Sequence, residues 1–103
     1  MKVLKFGGTS VGSVSSILSL QKIVEKEAKH QPIIVVVSAL GGITDQLIAT
    51  SQLALKGDES WKTEFDSIVA RHHKMIDAII TDPHDREMLF NKVDSLFEQL
   101  HSI

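Results

Sequence analysis

Lys2-Val3-Leu4-Lys5-Phe6-Gly7-Gly8-Thr9-Ser10-Val11-Gly12-Ser13 decides how the chain folds. Val3, Leu4 and Phe6 form a short apolar run interrupted by Lys5, which reads as a strand. Gly7-Gly8 ends the run, Thr9 and Ser10 add two hydroxyls, and Gly12 passes into a helical pattern. Strand, glycine turn and helix N-terminus in this order make an anion site: glycines let the backbone approach a ligand, and the first N–H groups of a helix lack intrahelical partners. Lys5 would add a full positive charge to those partial ones. A tight βα connection can require two glycines for geometry alone, so Gly-Gly by itself leaves both readings open. Lys5, Thr9 and Ser10 crowded around it point to phosphate or carboxylate. Neither G-x-x-x-x-G-K-[ST] nor G-x-G-x-x-G is present, so a Walker A loop is excluded and a dinucleotide site has no direct support.

Outward from that stretch, Val14, Ile17, Leu18, Leu20, Ile23, Val24 and Ala28 recur near a 3.6 period, with Lys22, Glu25, Lys26 and Lys29 on the other side. This predicts a helix from about Ser13 to Lys29, stopped before Pro32. Ile33-Ile34-Val35-Val36-Val37 is a continuous β-branched run, the pattern of a strand buried on both faces of a parallel sheet. The strands Val3–Phe6 and Ile33–Val37 are therefore expected to lie parallel, joined by a right-handed crossover through the helix. The second strand repeats the grammar of the first. Ser38-Ala39-Leu40 leads to Gly41-Gly42, then to a helix with Ile43, Leu47, Ile48, Ala54 and Leu55 on its apolar face and Gly57 as its C-cap glycine. Both glycine turns then sit at the carboxyl ends of their strands, the edge where open α/β sheets bind ligands. The repeat favours one shared ligand site.

From residue 58 the character changes. Trp61, Phe65, Ile68, Val69, His72, Ile76, Ile79 and Ile80 follow 3-and-4 spacing. Asp82-Pro83 ends that helix and starts another, with Asp82 as N-cap and Pro83 at the first helical position. Met88 or Leu89, Val93, Leu96, Phe97, Leu100 and Ile103 continue the stripe. The expected organisation is a βαβα start over 1–57 and an antiparallel helical hairpin over 58–103 of the same domain. The stripe runs to the final Ile103 with no capping glycine or polar tail, so the hairpin is expected to be truncated there.

Several residues invite a chemical reading that their positions do not support. His72 and His73 are adjacent on a helix and point about 100° apart, so they do not share an ion readily. His72 lies on the apolar stripe and is expected to be packed. His73 shares a face with Asp77, but two groups fall short of a metal site, and no metal is expected. Trp61 and the methionines belong to apolar stripes. Ser15, Ser16 and Ser19 fall on the wetter side of their helix, with no base placed to activate them.

At 103 residues, with 43% hydrophobic and 23% charged residues, the chain is at most one ordinary globular domain. It has no cysteine, which excludes a disulfide framework, a thiolate metal site and a cysteine nucleophile. No signal-peptide pattern or membrane-spanning run is present, and a cytoplasmic location is expected. The net charge of −2 argues against nucleic acid as a partner. It hides an asymmetry: residues 1–56 carry six Lys/Arg against three Asp/Glu, and residues 57–103 carry five against ten. The positive half holds the glycine turns, which suits an anionic small ligand.

The hexapeptide Lys5-Phe6-Gly7-Gly8-Thr9-Ser10 resembles the N-terminal signature of aspartate kinases, within the amino-acid kinase superfamily. Val37-Ser38-Ala39-Leu40-Gly41-Gly42-Ile43-Thr44-Asp45 is similar to that family's second motif, and the two come in the family's order. The helical hairpin is similar to the insertion in bifunctional aspartokinase–homoserine dehydrogenases. The resemblance implies the start of an α/β/α sandwich with a mainly parallel sheet. It implies transfer of the ATP γ-phosphoryl group to the side-chain carboxylate of L-aspartate, with Mg²⁺, in a homo-oligomer. Carried over by position, Lys5 would act on the ATP phosphates and the transferring group. Gly7 and Gly8 would offer backbone N–H groups, with the Thr9 and Ser10 hydroxyls beside them. Ser38, Ala39 and Thr44 would contact aspartate. The family's remaining aspartate ligands and nucleotide pocket have no counterpart in these residues, so the chain alone is expected to be inactive. Two other readings stand beside this one: a kinase with a glutamate or nucleotide acceptor, and a non-catalytic α/β module whose hairpin docks a partner.

Overall fold

β1 (Lys2–Phe6) and β2 (Ile33–Val37) pair in parallel, with Lys2 opposite Ile33 and each following residue in step to Phe6 opposite Val37. This is a computed structural model describing all 103 residues, in the order β1, α1 (Val14–Ala28), β2, α2 (Ile43–Leu55), α3 (Trp61–Ile79) and α4 (Pro83–His101). The chain divides into two compact units, Met1–Ile48 and Ala49–Ile103. The α/β class, the parallel pairing and the order of elements are those the sequence predicts.

In the first unit α1 begins where its capping chemistry places it. Ser13 is extended at φ −149°, and its Oγ accepts a hydrogen bond from the Ser16 N–H at 3.2 Å. The helix stops at Ala28, four residues before Pro32. Lys2 Nζ meets Glu27 Oε2 at 3.4 Å, tying the first strand to the last turn of α1. The predicted double-sided burial of β2 is not realised. Ile34, Val35, Val36 and Val37 are 39–54% exposed, because a two-stranded sheet beside a single helix leaves one face and both outer edges open.

The apolar face of α2 also differs from the expected one. Ile43 and Thr50 are buried and Leu47 and Leu53 half-buried, whereas Ile48, Ala54 and Leu55 are exposed. The face follows 43, 47, 50 and 53, a true helical stripe that takes in a threonine. The helix ends as predicted at Gly57, whose φ of +72° lets the chain close a Schellman motif. The Gly57 N–H bonds the Ala54 carbonyl at 3.1 Å and the Asp58 N–H bonds the Leu53 carbonyl at 3.0 Å.

In the second unit α3 and α4 run antiparallel, as their ring contacts show. Trp61 meets His101, Phe65 meets Phe97 and His73 meets Phe90, with centroids 5.3, 6.1 and 5.1 Å apart. Ile68 on α3 is fully buried, a burial that contributes about 1.5–3 kcal/mol. Ile79 ends α3, and Ile80 stands beyond it as an extended cap. Asp82 accepts the Asp85 N–H at 2.9 Å as the N-cap of α4, with Pro83 next to it. On α4 the inward residues are Leu89, Phe90, Val93 and Phe97, while Met88, Leu96 and Leu100 are exposed, as is Ile103 beyond its end. No helix is long and apolar enough to cross a membrane.

His72 is packed as expected. Its Nδ1 lies 2.8 Å from the Ile68 carbonyl and its ring is edge-on to Phe97. His73 reaches across to Asp94 rather than along its own helix to Asp77, with Nε2 and Oδ1 at 2.5 Å. Asp77 instead takes Arg86 at 3.3 Å, and the Arg86 Nε donates to the Ile80 carbonyl at 2.9 Å.

Candidate functional site

The two glycine loops follow β1 and β2 at their shared carboxyl edge. The Ser38 N–H bonds the Phe6 carbonyl at 3.2 Å, which extends the ladder by one residue and sets Ser38 beside the start of the first loop. The Ser10 N–H returns to the Gly7 carbonyl at 3.1 Å and turns the chain toward α1.

Three glycines hold the loops against each other. A Cβ on Gly41 would stand 2.8 Å from the Gly8 carbonyl oxygen and 3.4 Å from Gly12 Cα. A Cβ on Gly12 would lie 3.1 Å from the same oxygen. A Cβ on Gly8 would meet Gly41 Cα at 3.5 Å and Ser38 Oγ at 3.7 Å, ordinary contacts. Gly7 differs from all of these. Its φ is not positive, and a Cβ there would meet nothing within 4 Å. Neither packing nor backbone strain requires glycine at that position.

Lys5 is exposed one residue before the loop, and its ammonium is in none of the chain's ion pairs. Thr9 is exposed and Ser10 half-buried. Ser38 and Ala39 are exposed, and the Ser38 hydroxyl donates to the Ala39 carbonyl at 2.7 Å. Thr44 is exposed on the first turn of α2. The structure thus brings Gly8 and Ser38 to one edge and sets Lys5 and Gly7 open beside them. Thr44 lies on the neighbouring helix α2.

A cleft of about 290 Å³ lies next to this edge, lined by Phe6, Thr9, Ser10, Ser16, Ser19, Leu20 and Ile23. Phe6 faces α1 there, and so does Lys2 through Glu27, so alternation puts Lys5 on the opposite face of the sheet. Lys5 is not among the residues that line the cleft.

The model of the amino acid kinase family matches residues 1–94. The chain belongs to that family. The resemblance carried by Lys5–Ser10 and Val37–Asp45 is thereby borne out, and curated relatives narrow it. Aspartokinase 2 of Bacillus subtilis (strain 168) is 44% identical over 70 residues, covering 66% of this chain and 16% of that protein. The aspartokinase of Chlamydia muridarum (strain MoPn / Nigg) is 39% identical over 74 residues, 72% of this chain and 15% of that protein. A bifunctional aspartokinase/homoserine dehydrogenase of Buchnera aphidicola subsp. Acyrthosiphon pisum (strain APS) is 36% identical over 63 residues, 61% of this chain and 8% of that protein. The chain spans a sixth or less of the length of these relatives.

For a member of the amino acid kinase family, the sequence reading names the loop residues but misses the division of labour among the glycines. That Gly41 and Gly12 serve close packing depends on two loops some 30 residues apart meeting in space, which local pattern does not reveal. Ser16 and Ser19, read only as wet helix surface, line the cleft. Their spacing of three was the available signal, since it puts both on one face.

Proposed function

We propose that the chain forms the phosphate-holding start of an aspartate kinase, in which the ATP γ-phosphoryl group passes to the side-chain carboxylate of L-aspartate. The observation that carries this is Gly7, a glycine that the fold does not require, beside an unpaired lysine at the carboxyl edge of a parallel sheet. The names of the relatives, aspartokinases, supply the acceptor.

In this reading a carboxylate oxygen of aspartate attacks the γ-phosphorus, the bond to the β,γ-bridging oxygen breaks, and ADP leaves. The nucleophile belongs to the substrate, so the protein's task is to position the groups and stabilise charge. The N–H groups of Gly7 and Gly8 approach the phosphate oxygens. Lys5 neutralises charge on the migrating group, and the Thr9 and Ser10 hydroxyls hydrogen-bond beside it. Ser38, Ala39 and Thr44 hold the aspartate. The oxygen groups at this edge are hydroxyls and carbonyls, so Mg²⁺ would be held chiefly by phosphate oxygens and water. Both substrates are those of the cytoplasm, where we place the protein.

The test is a chimera in which this chain replaces the matched segment of the Bacillus subtilis relative, assayed for phospho-aspartate trapped as hydroxamate. Activity on aspartate is expected, and a chimera that folds but phosphorylates only another acceptor overturns the reading. Within an active chimera, Lys5→Ala should lower kcat at least about a hundredfold, the scale of losing one preorganised electrostatic group. A normal kcat with only a raised KM for ATP would reassign Lys5 to binding. Thr44→Val should raise KM for aspartate, and an unchanged KM would remove Thr44 from the acceptor site.

A further inference from the structure

Where the two glycine loops leave the sheet, the Ser38 N–H ties them by its bond to the Phe6 carbonyl. Farther out they meet at the Gly8 carbonyl oxygen. A Cβ on Gly41 would reach that oxygen at 2.8 Å and a Cβ on Gly12 would reach it at 3.1 Å, so the oxygen lies in the space that two missing side chains leave. The Cβ added at Gly41 would also stand 3.4 Å from the Gly12 Cα. All three glycines belong to the compact unit Met1–Ile48. Neither Gly12 nor Gly41 has a positive φ, so what glycine supplies at both is close approach of one backbone to another.

Each loop carries one half of the reaction proposed above. Gly7, Gly8, Thr9 and Ser10 are on the first, with Lys5 just before it, and Ser38 and Ala39 open the second, shortly before Gly41. Gly41 touches neither substrate in that scheme. Its backbone is the surface against which the phosphate-holding loop rests. A side chain there has to separate the loops, because ordinary contact begins at 3.4 Å and 2.8 Å is about 0.6 Å too close. Group transfer is sensitive to such a step. The reacting atoms must lie about 3–3.5 Å apart and aligned, and a displacement of about 1 Å costs on the order of a hundredfold in rate.

We propose that Gly41 is a positioning residue, which sets the separation between the phosphate-holding loop and the loop of Ser38 and Ala39 through its contact with the Gly8 carbonyl. Gly12, two residues before α1, bounds the same oxygen from within the first loop. This role rests on the aspartate kinase reading, because only there do the two loops hold different reactants. It adds a residue that binds nothing and fixes a distance.

The experiment is steady-state kinetics on the chimera described above, with far-UV circular dichroism and urea unfolding giving the folded fraction. Gly41→Ala should lower kcat per folded molecule at least about tenfold. KM for ATP and for aspartate should stay within about twofold, because each loop keeps its own contacts. The ratio of ADP released to hydroxamate formed should rise. Water can still attack a γ-phosphorus that the aspartate carboxylate no longer meets in line, giving ADP and inorganic phosphate. Ile68→Val, a change in the buried core of the other unit, controls for lost stability alone and should leave kcat per folded molecule and the ratio unchanged. Should Gly41→Ala fail to fold, Gly12→Ala presses on the same oxygen from 3.1 Å and should show the same pattern more weakly. An unchanged kcat per folded molecule, an unchanged ratio, or a loss of kcat that comes with a raised KM overturns the proposal. If Lys5→Ala still shows its hundredfold loss in that case, the aspartate kinase reading stands without it. A folded chimera inactive on aspartate removes both.

Discussion

Gly7 and Gly41 look alike in the sequence, each the first glycine of a pair after a strand, yet they do opposite things. A methyl group on Gly41 meets the Gly8 carbonyl oxygen at 2.8 Å, a backbone atom that cannot swing aside. Gly41→Ala is therefore expected to push the loops apart and cost about 1–3 kcal/mol of stability, the scale of overpacking. The same change at Gly7 meets nothing and needs no unusual φ, so stability should stay within about 0.5 kcal/mol. Gly7→Ala should instead obstruct the ligand and weaken ATP binding. Urea unfolding measures the first effect, and amide shifts in an ATP titration measure the second. A destabilised Gly7→Ala with unchanged binding would make Gly7 structural and remove the central support for the phosphate site. Only the pairing of glycines was legible from the chain. Their difference arises because Gly41 approaches Gly8 across the gap between two loops, a tertiary fact with no local signature.

At the scale of elements, the parts written in local chemistry were legible and the parts set by neighbours were not. Ser13, Gly57 and Asp82-Pro83 cap their helices as their side chains and backbone freedom require. The β-branched run of β2 correctly gave a parallel strand, but its burial depends on layers that these residues do not supply. The i,i+4 rule offered Asp77 to His73, and the packing of α4 against α3 offered Asp94 instead. The start of α3 was also hidden. Ser60, next to Trp61, makes no side-chain cap, and Asp58 does the work from one turn earlier. Its Oδ1 accepts the Ser60 N–H at 2.9 Å and the Ser60 hydroxyl at 2.8 Å. The backbone bond first, and the hydroxyl second, hold the Asp58 carboxyl below its ordinary range. A depressed folded value means that this support is fully present above the unfolded value and is lost as pH falls through the folded one. The Ser60 amide resonance should therefore titrate in acid, with a midpoint below that of a free aspartate, and Asp58→Asn should abolish that titration. A Ser60 midpoint at the free-aspartate value would show that the turn does not favour the charged form.

Over the whole molecule, the limit on function is how much charge one sheet edge can manage. In the proposed role ATP would bring several negative charges, and the candidate edge would answer with backbone N–H groups, hydroxyls and one free cation, Lys5. Phosphoryl transfer also demands an acceptor held in line with the leaving group. Ser38 and Ala39 are on this edge and Thr44 is on the first turn of α2, but beyond Lys5 no second cationic side chain stands there to clamp the carboxylates of aspartate. The aspartokinases that resemble the chain extend over at least six times the length it matches. The 103-residue chain assayed by itself with ATP, Mg²⁺ and a high concentration of aspartate is accordingly expected to give no hydroxamate above a no-protein blank. If the proposed role of Gly7 and Gly8 holds, it should still shift their amide resonances when ATP is added, and Lys5→Ala should remove most of that shift. Turnover by the chain alone would show that one loop edge suffices to place both substrates. Silence at Gly7 and Gly8 would show that the edge has no phosphate affinity until other groups complete it.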